Sequence, residues 1–174
     1  TSFSKSKKQL TKVYKDHPIT LYCGCSFEGQ TPNFFSCGYV PKKNNKRANR
    51  IEWEHVVPAY VFGIFFSAWT VGHPKCVKKN GKKYKGRRCA SKVNREFKRM
   101  EADMFNLFPA IGEVNGLRSN YPMTIIEGEE RQFGKCDVEI KRGKVEPRDE
   151  VRGEIARTYI CLLYTSPSPR DPVS

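Results

Sequence analysis

The chain of 174 residues is short of acidic side chains, poor in histidine and without any long apolar run. A membrane-crossing helix needs about 18 or more apolar residues in a row, so none is expected. No two cysteines stand at Cys-x-x-Cys spacing and only three histidines are present, which does not favour a structural zinc site. The first residues, Thr1 to Lys5, carry no apolar signal-peptide core; they read as a mature end or the inside of a longer precursor. Hydrophobic residues at 38% and aromatics at 12% argue against global disorder. The length suits one domain with its own core.

What is abundant is positive charge, and it is unevenly placed. Residues 1–100 hold 22 basic and five acidic side chains, whereas residues 101–174 hold ten and 13. The densest stretch, Lys75 to Arg99, has twelve basic residues and one acid, Glu96; a second cluster runs from Lys42 to Arg50. Such clusters favour a polyanion, most often nucleic acid, by neutralising phosphates and releasing counterions. Lys79, Lys82, Lys83, Lys85, Arg88 and Arg118 are the candidate nucleic-acid contacts.

Seven cysteines fit a disulfide framework in an oxidising compartment. Cys25 and Cys37 flank a polar Gly/Pro stretch, and Cys76 and Cys89 flank a Lys/Gly-rich loop. Each pair is a candidate disulfide, with other connectivities open.

Along the chain, Ser4 to Asp16 reads as a helix with Leu10, Val13 and Tyr14 on one face, and Thr20 to Cys25 as a strand. Arg50 to Val57 has strand character until Pro58 interrupts it. Tyr60 to Val71 is unusually apolar, which fits core or an exposed patch that binds something. Ser91 to Phe105 reads as one helix capped by Ser91, with Val93, Phe97, Met100 and Met104 at helical spacing. Asn106 to Pro109 reads as a strand or turn, Ala110 to Leu117 as a short helix, and Val151 to Tyr159 as another.

The strongest chemical signal is Ile51-Glu-Trp-Glu-His-Val-Val-Pro-Ala59. Histidine in a strand is usually structural, but His55 has Glu54 beside it, and the polar residues Asn106 and Asn115 follow in a strand-turn-helix segment. Phosphodiester hydrolysis needs a base near neutral pH, and the histidine pKa of about 6.5 suits it. It also needs a divalent cation, for which carboxylate, amide oxygen and water are suitable magnesium ligands, and an arginine to grip the phosphate. One difficulty is geometric: neighbours in a regular strand face opposite ways, so Glu54 and His55 share a site only where the strand is irregular or ends.

Glu52 to Ala59, with Phe62-Gly63 after it, resembles the signature of the bacterial endonuclease I family, secreted or periplasmic nucleases of the His-Me finger (ββα-metal) class. The similarity extends to Tyr22-Cys-Gly-Cys25, Ser36-Cys-Gly-Tyr39, Asn49-Arg50, Met100-Glu-Ala-Asp-Met104, Gly112-Glu-Val-Asn-Gly116 and Ala156-Arg-Thr-Tyr159. It implies an α+β, disulfide-stapled fold, a ββα core with helices and short strands around it. It also implies a monomer cleaving DNA and RNA nonspecifically with one Mg2+ and leaving 5′-phosphates. Carried over to this chain, His55 matches the general base, Glu54 and Asn115 the magnesium ligands, and Arg87 the phosphate-stabilising arginine, with Arg88 as its rival. Glu101 lies in the motif whose backbone supports the histidine.

Two departures stand out. Gly63 to Gly72 is more apolar than in the family, and the family continues beyond this chain with two further cysteines. The expected domain is therefore residues 1–160, incomplete at its C-terminus, with Cys23 and Cys136 deprived of native partners. Residues 161–174 change composition abruptly and are expected to be a non-native or disordered tail. The alternatives to a secreted or periplasmic nuclease are a non-catalytic basic module that grips nucleic acid and an inactive truncated fragment.

Overall fold

A computed structural model describes residues 2–43, 46–128 and 130–165. Helix α1, Phe3–Val13, starts at Ser2, whose side chain accepts the Lys5 N–H. It buries Ser6 and Leu10, whereas Val13, expected on the same face as Leu10, is 63% exposed. Thr20 to Cys25 forms a tight turn instead of the expected strand, with Gly24 at φ +65°. Two disulfides leave this turn, Cys23–Cys136 and Cys25–Cys37, and Gly24 N–H donates to the Thr20 carbonyl inside it. A minimal hairpin follows, β1 Phe27–Glu28 with β2 Thr31–Pro32.

The central pair is β3, Ile51–His55, antiparallel to β4, Leu107–Ile111. The long connection between them holds α2 Ala59–Gly63, α3 Ser67–Thr70, α4 Arg87–Val93 and α5 Arg95–Glu101. The single helix expected over Ser91 to Phe105 is thus broken. Asn94 adopts extended dihedrals and its side chain accepts the Phe97 N–H, so Asn94, not Ser91, is the cap of α5. The chain passes from β4 directly into α6, Gly112–Arg118. The hairpin β5 Val138–Lys141 with β6 Lys144–Pro147 precedes α7, Asp149–Thr165.

Helix α7 runs past the boundary expected at residue 160, and Leu162 packs partly buried against the second core described below. Residues 166–174, the rest of the expected tail, lie outside the described residues. The expected orphans Cys23 and Cys136 are bonded to each other, and Cys76–Cys89 completes three disulfides. Each of these two cysteines is therefore the partner that the other was expected to lack.

Two buried clusters form the interior. One gathers Leu21, Tyr22, Val56, Ala110, Ile111, Val114, Phe133 and the β5–β6 valines. The other gathers Val57, Ala59, Phe62, Ala68, Phe97 and the Cys76–Cys89 bridge. Consecutive residues Val56 and Val57 enter different clusters, so the end of β3 sits at the seam between them.

The Cys23–Cys136 bond closes 113 residues of chain, against 12 and 13 for the other two. Because the constraint on the unfolded chain grows with loop length, we expect the Cys23→Ser/Cys136→Ser double variant to lose about 3–5 kcal/mol of stability. Urea unfolding measures this; a loss under 1 kcal/mol, on the order of ordinary surface changes, would refute it.

Candidate active site

The site is built on the way β3 ends. Alternation puts Glu52 and Glu54 on one face of the strand, opposite Ala110 and Phe108 of β4. His55 is the last strand residue, and the chain bends at Val56 and Val57. Arg118, at the C-terminus of α6, grips that bend. Its Nη1 donates to Glu54 Oε1 at 2.6 Å and to the His55 carbonyl at 2.7 Å, and its Nη2 donates to the Val56 carbonyl at 2.7 Å. Asn106 completes the ending with its side chain, accepting the Val57 N–H at 2.7 Å and donating to the Val57 carbonyl at 2.9 Å. An arginine and an asparagine thus replace regular ladder partners. With the strand bent there, Glu54 and His55 both line one cavity of about 950 Å³.

Glu54 is 2% exposed and also accepts the Tyr22 hydroxyl at 2.7 Å. Burial pushes its carboxyl pKa up, while Arg118 and Tyr22 pull it down. Burial lowers the Arg118 pKa, but Tyr22 and Glu54 outweigh that and leave it raised. At 2.6 Å from a guanidinium, Glu54 is the anionic half of a buried ion pair. Both of its hydrogen bonds fall on Oε1, which leaves Oε2 without a hydrogen bond among the described residues.

His55 is 6% exposed, with the Phe3 ring 5.1 Å from its own. Its Nε2 lies 2.9 Å from the Glu101 carbonyl. A carbonyl only accepts, so Nε2 carries the proton and Nδ1 keeps the lone pair. Burial, and then the positive charge of Arg87, lower the His55 pKa to about 4, against the Glu101 carbonyl bond that raises it. The imidazole is therefore neutral at neutral pH. Glu101 acts twice, because its carboxylate Oε1 also accepts Arg87 Nε at 2.5 Å. Arg87 has a 42% exposed side chain, lines the cavity and lies over the Phe3 ring.

Asn115, on α6, lines the same cavity and donates Nδ2 to Glu52 Oε2 at 2.9 Å, and its Oδ1 makes no hydrogen bond among the described residues. Burial alone would raise the Glu52 carboxyl; Arg47 and Arg50 outweigh it and hold the pKa below the ordinary value. Among the described residues no three His, Cys, Asp or Glu side chains gather as a metal cage. The unused oxygens of Glu54 and Asn115 are hard donors, and a pair of them suits a magnesium ion that keeps most of its water.

A sequence model of the Endonuclease I family matches residues 2–166. The chain belongs to the endonuclease I family. Over 168 residues, 92% of the chain, it is 46% identical to an extracellular deoxyribonuclease of Aeromonas hydrophila, covering 68% of that protein. A periplasmic deoxyribonuclease of the same organism is also 46% identical, with 65% of its length covered. Endonuclease-1 of Buchnera aphidicola is 42% identical, with 61% covered. The chain spans about two thirds of the length of these relatives.

For this member of the endonuclease I family, the cavity brings together Glu54, His55, Arg87, Asn115 and Arg118. Glu101 does not line it and lies behind His55 and Arg87, touching both. Arg118 was expected to meet nucleic acid, but it is 1% exposed and bound to Glu54 and two carbonyls, so it serves the protein interior. Arg88, the rival of Arg87, lies over the Tyr84 ring and does not line the cavity. Lys79, Lys82, Lys83 and Lys85 are exposed on the loop outside it, where Lys85 Nζ donates to the Thr70 carbonyl. Sequence reasoning missed Glu52, Arg47, Arg50, Tyr22 and Phe3. The two-residue spacing of Glu52 and Glu54 was a usable signal, since it puts both on one strand face. Arg47 and Arg50 lie just before the strand, within five residues of Glu52, whereas Tyr22 and Phe3 reach the site from distant segments.

Two outcomes follow from these contacts. Arg118→Met leaves the Glu54 charge buried without its partner and should cost about 3–5 kcal/mol. Tyr22→Phe removes one hydrogen bond to a charged group and should cost about 1.5–3 kcal/mol. Urea unfolding reads both; an unchanged midpoint for Arg118→Met would mean that the pair is dispensable. The second outcome concerns acid. With a pKa of about 4 in the folded state against an ordinary 6.5, the unfolded chain binds more protons at His55 in that window. Stability from this group is complete above pH 6.5 and falls away toward pH 4, by about 3 kcal/mol in all. His55→Asn should flatten the Tm decline across this range; an equally steep decline would remove His55 as its cause.

Proposed function

We propose that the chain is a nonspecific, magnesium-dependent endonuclease that hydrolyses phosphodiester bonds of DNA, and of RNA, to 5′-phosphate products. The observation that carries this reading is the state of His55: a neutral imidazole with Nε2 anchored on the Glu101 carbonyl and Nδ1 unprotonated, in the cavity that Arg87 also lines. Nδ1 accepts a proton from the attacking water, as a positioned base does. Arg87, held by Glu101, presents its guanidinium to the phosphate and offsets the charge that develops there. Glu54 and Asn115 would hold the magnesium ion through the oxygens that make no hydrogen bond among the described residues. When bound, the ion supplies a positive charge that stabilises the phosphate and the leaving oxygen.

In this reading β3, β4 and α6 are the two strands and helix of a His-Me finger, with the base ending the first strand and Asn115 on the helix. The basic first half of the chain attracts DNA through its backbone, which carries no sequence information by itself. Relatives named as extracellular and periplasmic deoxyribonucleases, together with three disulfides, support DNA as the substrate and work outside the cytoplasm.

His55→Ala should abolish nicking of supercoiled plasmid, by about 10²-fold or more, and still bind DNA in magnesium-free buffer. Full nicking by this variant would overturn the mechanism. Salt-sensitive DNA binding with no cleavage by the unaltered chain in any divalent metal would instead favour the non-catalytic basic module.

A further inference from the structure

Glu52 has no part in the chemistry above, yet it lines the same cavity and binds Asn115 directly. We infer that Glu52 is a positioning residue: by accepting the amide nitrogen of Asn115 it keeps Oδ1 available to the divalent cation. The inference rests on the magnesium-dependent nuclease reading and adds to it the residue that orients one of the two ligands.

An asparagine amide has a donor end and an acceptor end of similar size, so a half-turn of the side chain exchanges them. Only the oxygen end can hold a cation. A neighbour that can only accept a hydrogen bond selects one of the two orientations, and Glu52 is such a neighbour. Its Oε1 accepts Arg47 Nε at 3.0 Å, Arg50 Nε at 2.9 Å and Arg50 Nη2 at 2.5 Å. Its Oε2 accepts Arg47 Nη2 at 2.5 Å and Asn115 Nδ2 at 2.9 Å. A carboxylate held between two guanidiniums is charged and has no proton to donate. Turning the amide around would set Oδ1 against Glu52 Oε2, two acceptors with no proton between them.

The seat is built from both sides. Arg47 and Arg50 belong to the turn before β3, where the Arg50 N–H donates to the Arg47 carbonyl. The Gly112 N–H donates to the Arg50 carbonyl at 2.9 Å, which joins the start of α6 to that turn. A Cβ on Gly112 would come within 2.6 Å of the Arg47 carbonyl oxygen and 3.0 Å of Glu52 Cδ. A Cβ on Gly116 would come within 2.3 Å of Arg47 Nη1. Residues 112, 115 and 116 share one face of α6, so the two glycines open the space in which Arg47 and Glu52 reach Asn115. The arginine side chains are about half exposed and that of Glu52 is 17% exposed. An ion pair at the surface needs no third donor; here the third donor is a neutral amide on another element, at the cavity.

The test reads metal binding apart from turnover. Calorimetric titration of the metal-free chain with Mn2+, which accepts the same oxygen ligands, gives the affinity. Glu52→Gln keeps the shape but puts an amide where the acceptor was, and the affinity should fall about ten- to a hundredfold. Glu52→Asp keeps the charge and draws the carboxylate back from Asn115, so a fall is expected there too. Parent affinity in Glu52→Asp would mean a purely electrostatic role and overturns the inference. In an Asn115→Asp background the sign reverses, because Glu52→Gln then supplies a donor to a carboxylate that Glu52 repels, and the affinity should rise. A fall in both backgrounds, or no change in Glu52→Gln, also overturns it. Melts confirm the fold, and where Glu52→Gln melts early the Glu52→Asp result decides. A parent chain that binds no Mn2+ overturns the inference as well. Glu52-dependent Mn2+ binding without plasmid nicking keeps the positioning and removes the nuclease reading.

Discussion

The arrangement hangs on one buried cation. Arg118 is almost fully enclosed, and both of its terminal nitrogens hold the end of β3. An unpaired charge at that depth would be costly, so its position is set by Glu54 and by two carbonyls whose strand partners have run out. In return it fixes the bend that lets consecutive residues serve one cavity. Its Nε has no partner among the described residues, so the fit is weighted toward the strand end and away from its own helix.

A second economy appears at Glu101. The backbone carbonyl of one residue sets the tautomer of His55, and the side chain of the same residue holds Arg87. His55 and Arg87 are thereby kept in register by a single residue of α5, itself packed through Phe97 into the second core. Arg87 also acts electrostatically on its neighbour, since its charge helps keep the imidazole neutral. The Phe3 ring contacts His55, Arg87 and Lys7, which brings the first helix into the same local field.

Much of this was legible in the sequence, and the failures have physical causes. Strand β3, strand β4 and helix α6 follow from β-formers, Pro58 and the short amphipathic run before Arg118. The bend at Asn94 was hidden because Phe97 and Met100 keep helical spacing on one side of it, while only the Asn94 cap marks the break. Thr20 to Cys25 looked extended because its residues favour strands, but two disulfides from one turn override that preference. Arg118 was counted with the surface cations because composition does not distinguish a charge facing solvent from one facing Glu54. Tyr22, which lies 32 positions from Glu54, was invisible to any local pattern.

The pairing of β3 with β4 joins His55 to Leu107 across the whole of the intervening helices. Closing a loop of that length is entropically slow compared with forming the helices inside it. The Cys76–Cys89 bridge shortens the effective span, and α2 to α5 lie within it. The cavity, lined by residues on both sides of that closure, exists only once the closure is made.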